Sequence, residues 1–596
     1  MKKYSLRKPI PETIDETLQN YDSLTRSLLY ARGFSEVTSA EKFLNPNYNE
    51  HLYDPYLMKD MEKAVKRILK AISHDEKIGI FSDYDADGIP GAVALHDFFK
   101  KIGFNNFVNY IPHRNDEGFG LNKDALKSLI GDGVKLIITI DCGITDVSEV
   151  EFANKHKLDV IITDHHIPGK KIPKAYAIIN PKQEGDKYPE KMLCGSGVIF
   201  KVIQALISEI RTSNIEHLAS IPVGWEKWLL DMVGLATLSD MVPLLGENRV
   251  LSYYGMKVMQ KSPRVGIQKL LSLLKIDQRT ITEDDIAFMI TPRINAASRM
   301  GIPRDAFTLL STIDTVEAGV LAEHLNKKND ERKGLVGSMV REIKKKLEDR
   351  DEDNLQNKSG DAQSSEAGPR NMRNVLVFGN PQWKPSLLGL VAGSFSDEHN
   401  RPVFFWGRNG DEDGIIKGSC RAGGDTDIVE LMEKVKDILV DFGGHKSAGG
   451  FSVLQENIHK LEERLNVAYL ELQKDMSRFN LDIMVDKKIS IDDVSWELWK
   501  EVEKFAPFGL DNPKPLFLFE NIKISAVKLF GKEKNHLEIK FKNSKGGDIT
   551  AIAFFQNGDK FDAEIKEENS VNLVATLEKS VFRNFPELRL RIVDIF

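Results

Sequence analysis

Short, wholly apolar runs that stop abruptly at acidic residues recur through the first half of the chain. Ile78 to Gly88 reads I-G-I-F-S-D-Y-D-A-D-G, an apolar run up to Phe81 followed by Asp83, Asp85 and Asp87 at alternate positions. Val134 to Ile140 stops at Asp141, Leu158 to Thr163 stops at Asp164-His165-His166, and Ala175 to Ile179 stops at Asn180-Pro181. Phe107 to Ile111 reads as a further strand, and Gly91 to Lys101 between them has helical spacing. Apolar strands alternating with helices predict βαβ units and a parallel sheet covered on both faces.

Residues up to about 70 read as mostly helical, with Leu24, Leu28, Leu29 and Phe43 on helix faces and Pro46 and Pro55 as breaks. Val65, Ile68, Leu69 and Ile72 form the stripe of a helix leading into the first strand. The apolar helix Trp228 to Leu238 delivers Asp240. Val316 to Leu347 reads as one long charged helix with Val336, Met339, Val340, Ile343 and Leu347 on one stripe. Glu348 to Arg370 has almost no apolar content and reads as a disordered acidic insertion or linker. A second alternating block follows, with strands Val375 to Phe378, Val403 to Trp406 and Gly414 to Lys417 and a helix Leu387 to Phe395. From about 480 onward short strands predominate: Asn521 to Leu529, His536 to Phe541, Asp548 to Phe555, Ser570 to Leu577 and Leu588 to Ile592. That number suits a small barrel of the OB kind. The expected divisions are 1–70 helical, 71–315 a parallel-sheet domain, 316–347 a connecting helix, 348–372 the insertion, 373–475 a second α/β domain and 476–596 the barrel.

Length and composition set limits around this picture. At 596 residues, 41% hydrophobic and 29% charged, the chain fits a soluble protein of several domains. No apolar run is long enough to span a bilayer and the N-terminus lacks a signal-peptide core, so a cytoplasmic location is expected. Cys142, Cys194 and Cys420 are too far apart for a C-x-x-C clip and read as buried or half-buried thiols. A net charge of −7 does not exclude nucleic acid, because a local basic groove decides binding and an acidic metal centre conceals it in the sum.

Alternate positions of an extended chain face the same way, so Asp83, Asp85 and Asp87 can share one face. A single D-x-D-x-D is equally a solvated acidic turn. Three strands ending in Asp, at the edge where such sheets gather their sites, favour a cation. Asp and His together suit Mn²⁺ or Mg²⁺ better than a thiol-rich zinc site. Asp240 is out of place on an apolar helix unless paired or metal-bound. Gly195-Ser196-Gly197 opens a helix whose free N–H groups can receive an anion, a weak signal by itself. Polar, Gly-punctuated stretches carry phosphate-reading residues: Arg114 in the loop after 111, Arg293, Asn295 and Arg299 in P-R-I-N-A-A-S-R-M-G, Ser419 and Arg421 in G-S-C-R, and Gly443, Gly444 and His445 in G-G-H-K-S-A-G-G. In the barrel Phe530, Phe554, Phe555, Phe582 and Arg583 are candidates for stacking on bases, although core packing explains most of the phenylalanines more simply.

The order D-Y-D-A-D-G, D-C-G, D-H-H, S-D-M-V-P-L, R-I-N-A-A-S-R-M-G and G-G-H-K-S-A-G-G, followed by A-P-F-G and N-P before the barrel, resembles the RecJ branch of the DHH phosphoesterase family along nearly the whole chain. The resemblance implies a two-metal hydrolase, with two Mn²⁺ or Mg²⁺ ions held by Asp85, Asp87, Asp141, His165 and Asp240. Asp83 and His166 are implied at or just behind the ligand sphere, Asp141 as the bridging ligand, and His166 as a donor to the phosphate or an orienting group. It implies a pocket for the 5′ end of a strand at Arg299, Ser419 and Arg421, with Arg114, Arg293, Asn295 and the Gly443–His445 turn nearby. The implied activity is a 5′→3′ exonuclease on single-stranded DNA in repair and recombination, a monomer with a helicase and a single-strand-binding protein as candidate partners. The alternatives are a DHH-type phosphodiesterase acting on short oligonucleotides or cyclic dinucleotides, and a scaffold without catalysis. Four departures stand out: Phe81 where many members carry His, Lys384 in W-K-P-S, Ser298 in the arginine motif, and the acidic insertion.

Overall fold

The computed structural model describes residues 4–213, 220–356, 374–408, 414–474, 483–531, 534–556, 558, 561–580 and 586–596. The chain divides into two compact units, the first built from 1–110, 123–291 and 480–596 and the second from 111–122 and 292–479. No helix among the described residues is long and apolar enough to cross a membrane.

In the first unit, β1 (Tyr4–Leu6) precedes a five-stranded sheet made of β2 (Ile78–Ser82), β3 (Phe107–Tyr110), β4 (Leu136–Ile140), β5 (Asp159–Thr163) and β6 (Ala177–Ile179). Their order is β3-β2-β4-β5-β6 and every pairing is parallel. β2 and β4 are buried throughout, as continuous apolar runs covered on both faces must be. The register is level at the carboxyl edge: Ser82 pairs with Ile140, Ile140 with Thr163 and Thr163 with Ile179. The ladder continues one rung further, with the amides of Asp83, Asp141 and Asp164 donating to Ile140, Thr163 and Ile179 at 3.0, 3.0 and 3.1 Å. Asp83, Asp141, Asp164 and Asn180 therefore stand in one row.

The second unit carries β7 (Leu376–Gly379), β8 (Val403–Gly407), β9 (Ile415–Arg421), β10 (Leu439–His445) and β11 (Ala448–Leu454) in the order β10-β11-β9-β8-β7. Only β7 and β8 are parallel, so this is a mixed sheet. The expected strand Gly414 to Lys417 extends to Arg421, and Gly443–His445 is strand rather than turn, the turn itself falling at Lys446 and Ser447. The long helix runs from Thr315 to Gln356, beyond the expected end at Leu347. Its Met339 and Ile343 are buried with Leu387, Val391 and Phe395 against one face of the sheet. The rest of the acidic insertion, from 357, lies outside the described residues.

The first unit resumes with β12 (Ile483–Val485) and β13 (Lys487–Lys488), then the barrel strands β14 (Phe517–Phe530), β15 (His536–Lys542), β16 (Asp548–Ala553), β17 (Ser570–Ser580) and β18 (Glu587–Ile595). β14 pairs with both β15 and β17, which closes the sheet on itself and removes its edges. The N-terminal helices are not a separate body: Leu24, Leu28 and Phe43 share a core with Phe517, Phe541, Leu573 and Leu590 of the barrel. β1 pairs in parallel with β12. Where the N-terminal helices meet residues 504–506, Arg249 is buried with no carboxylate partner among the described residues; its guanidinium donates to the carbonyls of Phe43, Lys504, Phe505 and Ala506 and lies 3.7 Å from the Phe43 ring centroid.

Replacing Arg249 with Met leaves the Phe43, Lys504 and Ala506 carbonyls without this donor, while the Phe505 carbonyl keeps Asn512 Nδ2 at 2.8 Å. At roughly 1–3 kcal/mol for each buried group left unsatisfied, it is expected to destabilise the first unit by about 3 kcal/mol or more. An unchanged midpoint in urea denaturation would refute this.

Candidate metal centre

The row of strand-end residues is completed by two helices. Asp85 and Asp87 lie in the turn leading to the helix Gly88–Lys101, where Asp85 Oδ1 accepts from the amides of Asp87 and Gly88 at 2.8 and 3.2 Å. Asp240 caps the carboxyl end of the helix Leu230–Ser239. Asp141 leaves β4 with φ of 62°, in the left-handed region that Asp tolerates better than most residues.

Ligand atoms of Asp83, Asp85 and Asp141 lie within 4.8 Å of one another, as do those of Asp87, His165 and Asp240 and those of Asp141, His165 and His166. The three groups overlap through Asp141 and His165. His165 Nε2 is 3.1 Å from Asp141, 3.7 Å from Asp240 and 3.8 Å from Asp87. All six metal-ligand candidates, and His166 with them, are thus brought together.

Electrostatics show what the cluster can hold. Burial, then repulsion from Asp85, pushes the Asp87 carboxyl up to about 6. Burial with the Asp87 and Asp85 charges pushes Asp240 up to about 8, and burial with four neighbouring carboxylates drives Asp141 well above its ordinary range. Burial and the charge on His166 lower His165 to about 3, leaving a neutral imidazole. Carboxylates that cannot all ionise by themselves, around one neutral nitrogen, are a donor set suited to hard divalent cations. Asp141 Oδ1 is buried and accepts no hydrogen bond among the described residues, as suits a ligand oxygen. Mn²⁺ or Mg²⁺ fits these residues.

His166 differs from its neighbour. Burial opposes its charge, but Asp164 Oδ1 at 2.8 Å raises it to about 9 and keeps it cationic. Asp164 also accepts from the amides of Ile144, His165 and His166. Asn180 donates to the His166 carbonyl at 2.9 Å.

Several participants are not evident from sequence. The N–H groups of Gly195 and Ser196 do receive an anion, but it is the Asp87 carboxylate, at 2.6 and 2.7 Å. A Cβ on Gly195 would lie 2.5 Å from the Asp141 Cβ, so the helix start and β4 meet only because this residue is glycine. Lys182 is half-buried within the field of Asp240, Asp164 and Asp141. Phe81 is buried and stacks on Tyr110, with ring centroids 5.3 Å apart, so the position held by His in many family members serves the core here.

The phosphate-reading candidates fall in the second unit. Ser419 and Arg421 lie two apart on β9, and Arg421 Nη1 donates to Ser419 Oγ at 3.2 Å. A Cβ on Gly389 would come within 2.7 Å of Arg421 and 3.1 Å of Ser419, so this glycine makes room for both. Gly443 and His445 are level with Ser419 and Arg421, two strands away across β11. Arg299 Nη1 donates to the Ser386 carbonyl at 2.6 Å and Ser386 Oγ donates back to the Arg299 carbonyl. Arg114 lies in a loop where His113 Nε2 is 3.2 Å from the Gly301 carbonyl at the end of the Arg299 helix, and Asn295 is one turn before Arg299. Arg293 is buried, with Nε donating to Asn326. Lys384 is exposed at the start of the helix Pro385–His399. On the barrel Phe530 and Phe554 are half-buried and Phe555 is 76% exposed, so none of the three is core; Phe582 and Arg583 lie outside the described residues.

Gly195→Ala is expected to weaken Mn²⁺ binding by about tenfold or more, the range for residues that orient ligands. Calorimetric titration reads this directly, and wild-type affinity would show that the Asp141 approach does not matter.

Three family models match the chain: the DHH family N-terminal domain over residues 77–236, the DHHA1 domain over 373–474 and the RecJ OB domain over 485–594. The chain is 34% identical to the single-stranded-DNA-specific exonuclease RecJ of Bacillus subtilis over 96% of its length and 67% of that protein. It is 28% identical to the protein of the same name from Haemophilus influenzae over 99% of both chains. A crystal structure of exonuclease RecJ bound to manganese superposes with a TM-score of 0.57 at 28% identity, covering 71% of this chain and 98% of that one. RecJ from Thermus thermophilus in complex with Mn²⁺ shares the fold, with a TM-score of 0.78 at 23% identity over 100% of this chain and 79% of that one. A parallel sheet ending in clustered carboxylates, a DHHA1 domain and a RecJ-type barrel in this order make the chain a member of the RecJ family of DHH proteins.

Proposed function

We propose that the protein is a metal-dependent exonuclease that hydrolyses phosphodiester bonds of single-stranded DNA in the 5′→3′ direction, releasing nucleotides during repair and recombination. The observation that carries this reading is the convergence of Asp83, Asp85, Asp87, Asp141, His165 and Asp240 at the carboxyl edge of one sheet, with three ligand groups overlapping at Asp141 and His165. Two Mn²⁺ or Mg²⁺ ions held there would activate a water and neutralise charge on an in-line displacement at phosphorus.

The protein's own groups do the rest. Asp141 is shared between two of the ligand groups and is the natural bridging residue. The amides of Gly195 and Ser196 fix Asp87, so its carboxylate cannot rotate away. His166, kept cationic by Asp164, can donate a hydrogen bond to a non-bridging phosphate oxygen, and Lys182 lies within the field of Asp240, Asp164 and Asp141. In the second unit Arg299, Ser419 and Arg421 offer a fork and a hydroxyl for a terminal 5′ phosphate.

The barrel favours long strands over dinucleotides. Phe554 is crossed by Arg591 at 4.1 Å from its ring centroid, beside Phe530, His536 and exposed Phe555, giving a surface on which bases can stack. The protein acts as a cytoplasmic monomer in this reading. Duplex DNA offers no free end to such a site, so a helicase and a single-strand-binding protein are its fitting partners.

Strands labelled at the 5′ or the 3′ end, in DNA and RNA forms, with Mn²⁺ or Mg²⁺, test the proposal. Early release of the 5′ label from DNA alone is expected; early loss of the 3′ label would overturn the polarity. Asp141→Ala should abolish hydrolysis with either metal, and surviving metal-dependent digestion would place the centre elsewhere. Arg421→Ala should reduce kcat/KM for 5′-phosphorylated strands roughly 10- to 150-fold relative to 5′-hydroxyl strands, since a charge-assisted hydrogen bond contributes roughly 1.5–3 kcal/mol. Unchanged discrimination would reject the end pocket.

A further inference from the structure

One aromatic residue of the barrel is held where its own backbone is disfavoured. Phe555, just beyond the end of β16, has φ of 57°, and among the described residues it is the one aromatic with positive φ. A bulky side chain in this region is strained, because its Cβ crowds the following carbonyl. Burial gives little in return, since the ring is 76% exposed. Glycine at this position would remove the strain and the exposed apolar surface together. A conformation that costs on both counts points to a use for the ring outside the fold.

His536, the first residue of β15, holds this conformation. The regular ladder between β15 and β16 ends at Leu537 and Ala553. Beyond it the His536 side chain accepts the Phe555 amide at Nδ1, 2.9 Å away, which places the imidazole proton on Nε2. The imidazole is itself wedged in place. Its centroid is 5.1 Å from that of Phe530, 5.4 Å from that of Phe554 and 4.8 Å from that of Phe555, the last pair edge to face at 82°. A Cβ on Gly531 would come within 2.7 Å of the imidazole, so the ring fits there only because this residue is glycine. Phe554 is less available than its neighbour, with Arg591 at 4.1 Å and Arg589 at 5.7 Å from its ring centroid. Phe555 is the ring of this group most open to a base.

We propose that His536 is a positioning residue: by accepting the Phe555 amide it presents the Phe555 ring as a platform on which one base of the single strand stacks. The inference rests on the exonuclease reading above, which supplies the ligand, and goes beyond it in assigning the ring and the residue that sets it. Stacking uses the π-face that every base has, so the platform grips without regard to sequence. It acts on affinity for strands long enough to reach the barrel and leaves the chemical step alone.

The test uses the full chain with Mn²⁺, a long 5′-phosphorylated oligothymidylate and a thymidine dinucleotide. Phe555→Ala should raise KM for the long strand roughly 5- to 150-fold, the effect of losing one stacked base, and leave kcat and the dinucleotide unaffected. His536→Ala should raise it roughly 2- to 12-fold, the effect of one lost hydrogen bond. His536→Asn, whose Oδ1 can accept in place of Nδ1, should restore most of the wild-type value. None of these changes removes a phosphate contact, so the dependence of KM on KCl should keep its wild-type slope. Phe555→Gly should weaken long-strand binding as Phe555→Ala does while keeping the urea midpoint at or above that of wild type, a combination that a damaged fold does not produce. In EDTA, where no strand is cut, 2-aminopurine placed along the strand should be quenched at discrete positions, and Phe555→Ala should abolish that quenching. An unchanged long-strand KM in His536→Ala, a loss that His536→Asn does not restore, or a loss shared equally by the dinucleotide would overturn the assignment. A wild-type protein that cuts no strand yet quenches 2-aminopurine through Phe555 would defeat the exonuclease reading and leave the platform standing; one that does neither would defeat both.

Discussion

Mutual repulsion among buried carboxylates is the constraint around which the first unit is built. Asp83, Asp85, Asp87, Asp141 and Asp240 are held close together, and burial with the neighbouring charges raises the cost of ionising Asp87, Asp141 and Asp240. The fold tolerates this by supplying donors that cannot leave. The level register of β2, β4 and β5 sets the row, the amides of Gly195 and Ser196 clamp Asp87, and Asp164 holds His166 in its cationic form. What remains unneutralised is the charge that divalent cations bring. Stability and chemistry at this edge are therefore one problem, with the metals as its common solution.

In the second unit several guanidinium groups are oriented by neutral acceptors: Arg293 by Asn326, Arg299 by the Ser386 carbonyl, and Arg421 by the Ser419 hydroxyl and the Cys420 carbonyl. A neutral acceptor fixes the direction of a guanidinium, as the amides of Gly195 and Ser196 fix the Asp87 carboxylate in the first unit.

Much of this is legible in the order of residues alone. Apolar runs ending at Asp83, Asp141 and Asp164 announce the sheet and its functional edge, because a strand buried on both faces has few places to put a carboxylate. Asp240 stands out for the same reason, and the five barrel strands follow their apolar runs nearly to the ends. Gly195-Ser196-Gly197 is ambiguous, since a helix start invites any anion and nothing local says that the anion is Asp87, 108 residues earlier. Gly389 gives no signal, because its importance lies in what a Cβ would strike. Gly443–His445 reads as turn on glycine content, yet these residues pair in register with Ala448–Gly450; of the two glycines only Gly444 is crowded, where a Cβ would lie 2.3 Å from the Ala448 carbonyl. The N-terminal helices look independent because the apolar partners of Leu24, Leu28 and Phe43 come from the far end of the chain.

That last feature bears on synthesis. Arg7 and Asp486 form an ion pair across 479 positions, next to the parallel pairing of β1 with β12, so segments translated far apart in time lie side by side. A nascent chain leaving the ribosome must keep its first helices, with their apolar faces uncovered, until the barrel has emerged. Premature termination before β14 would expose a hydrophobic seam rather than yield a tidy catalytic fragment.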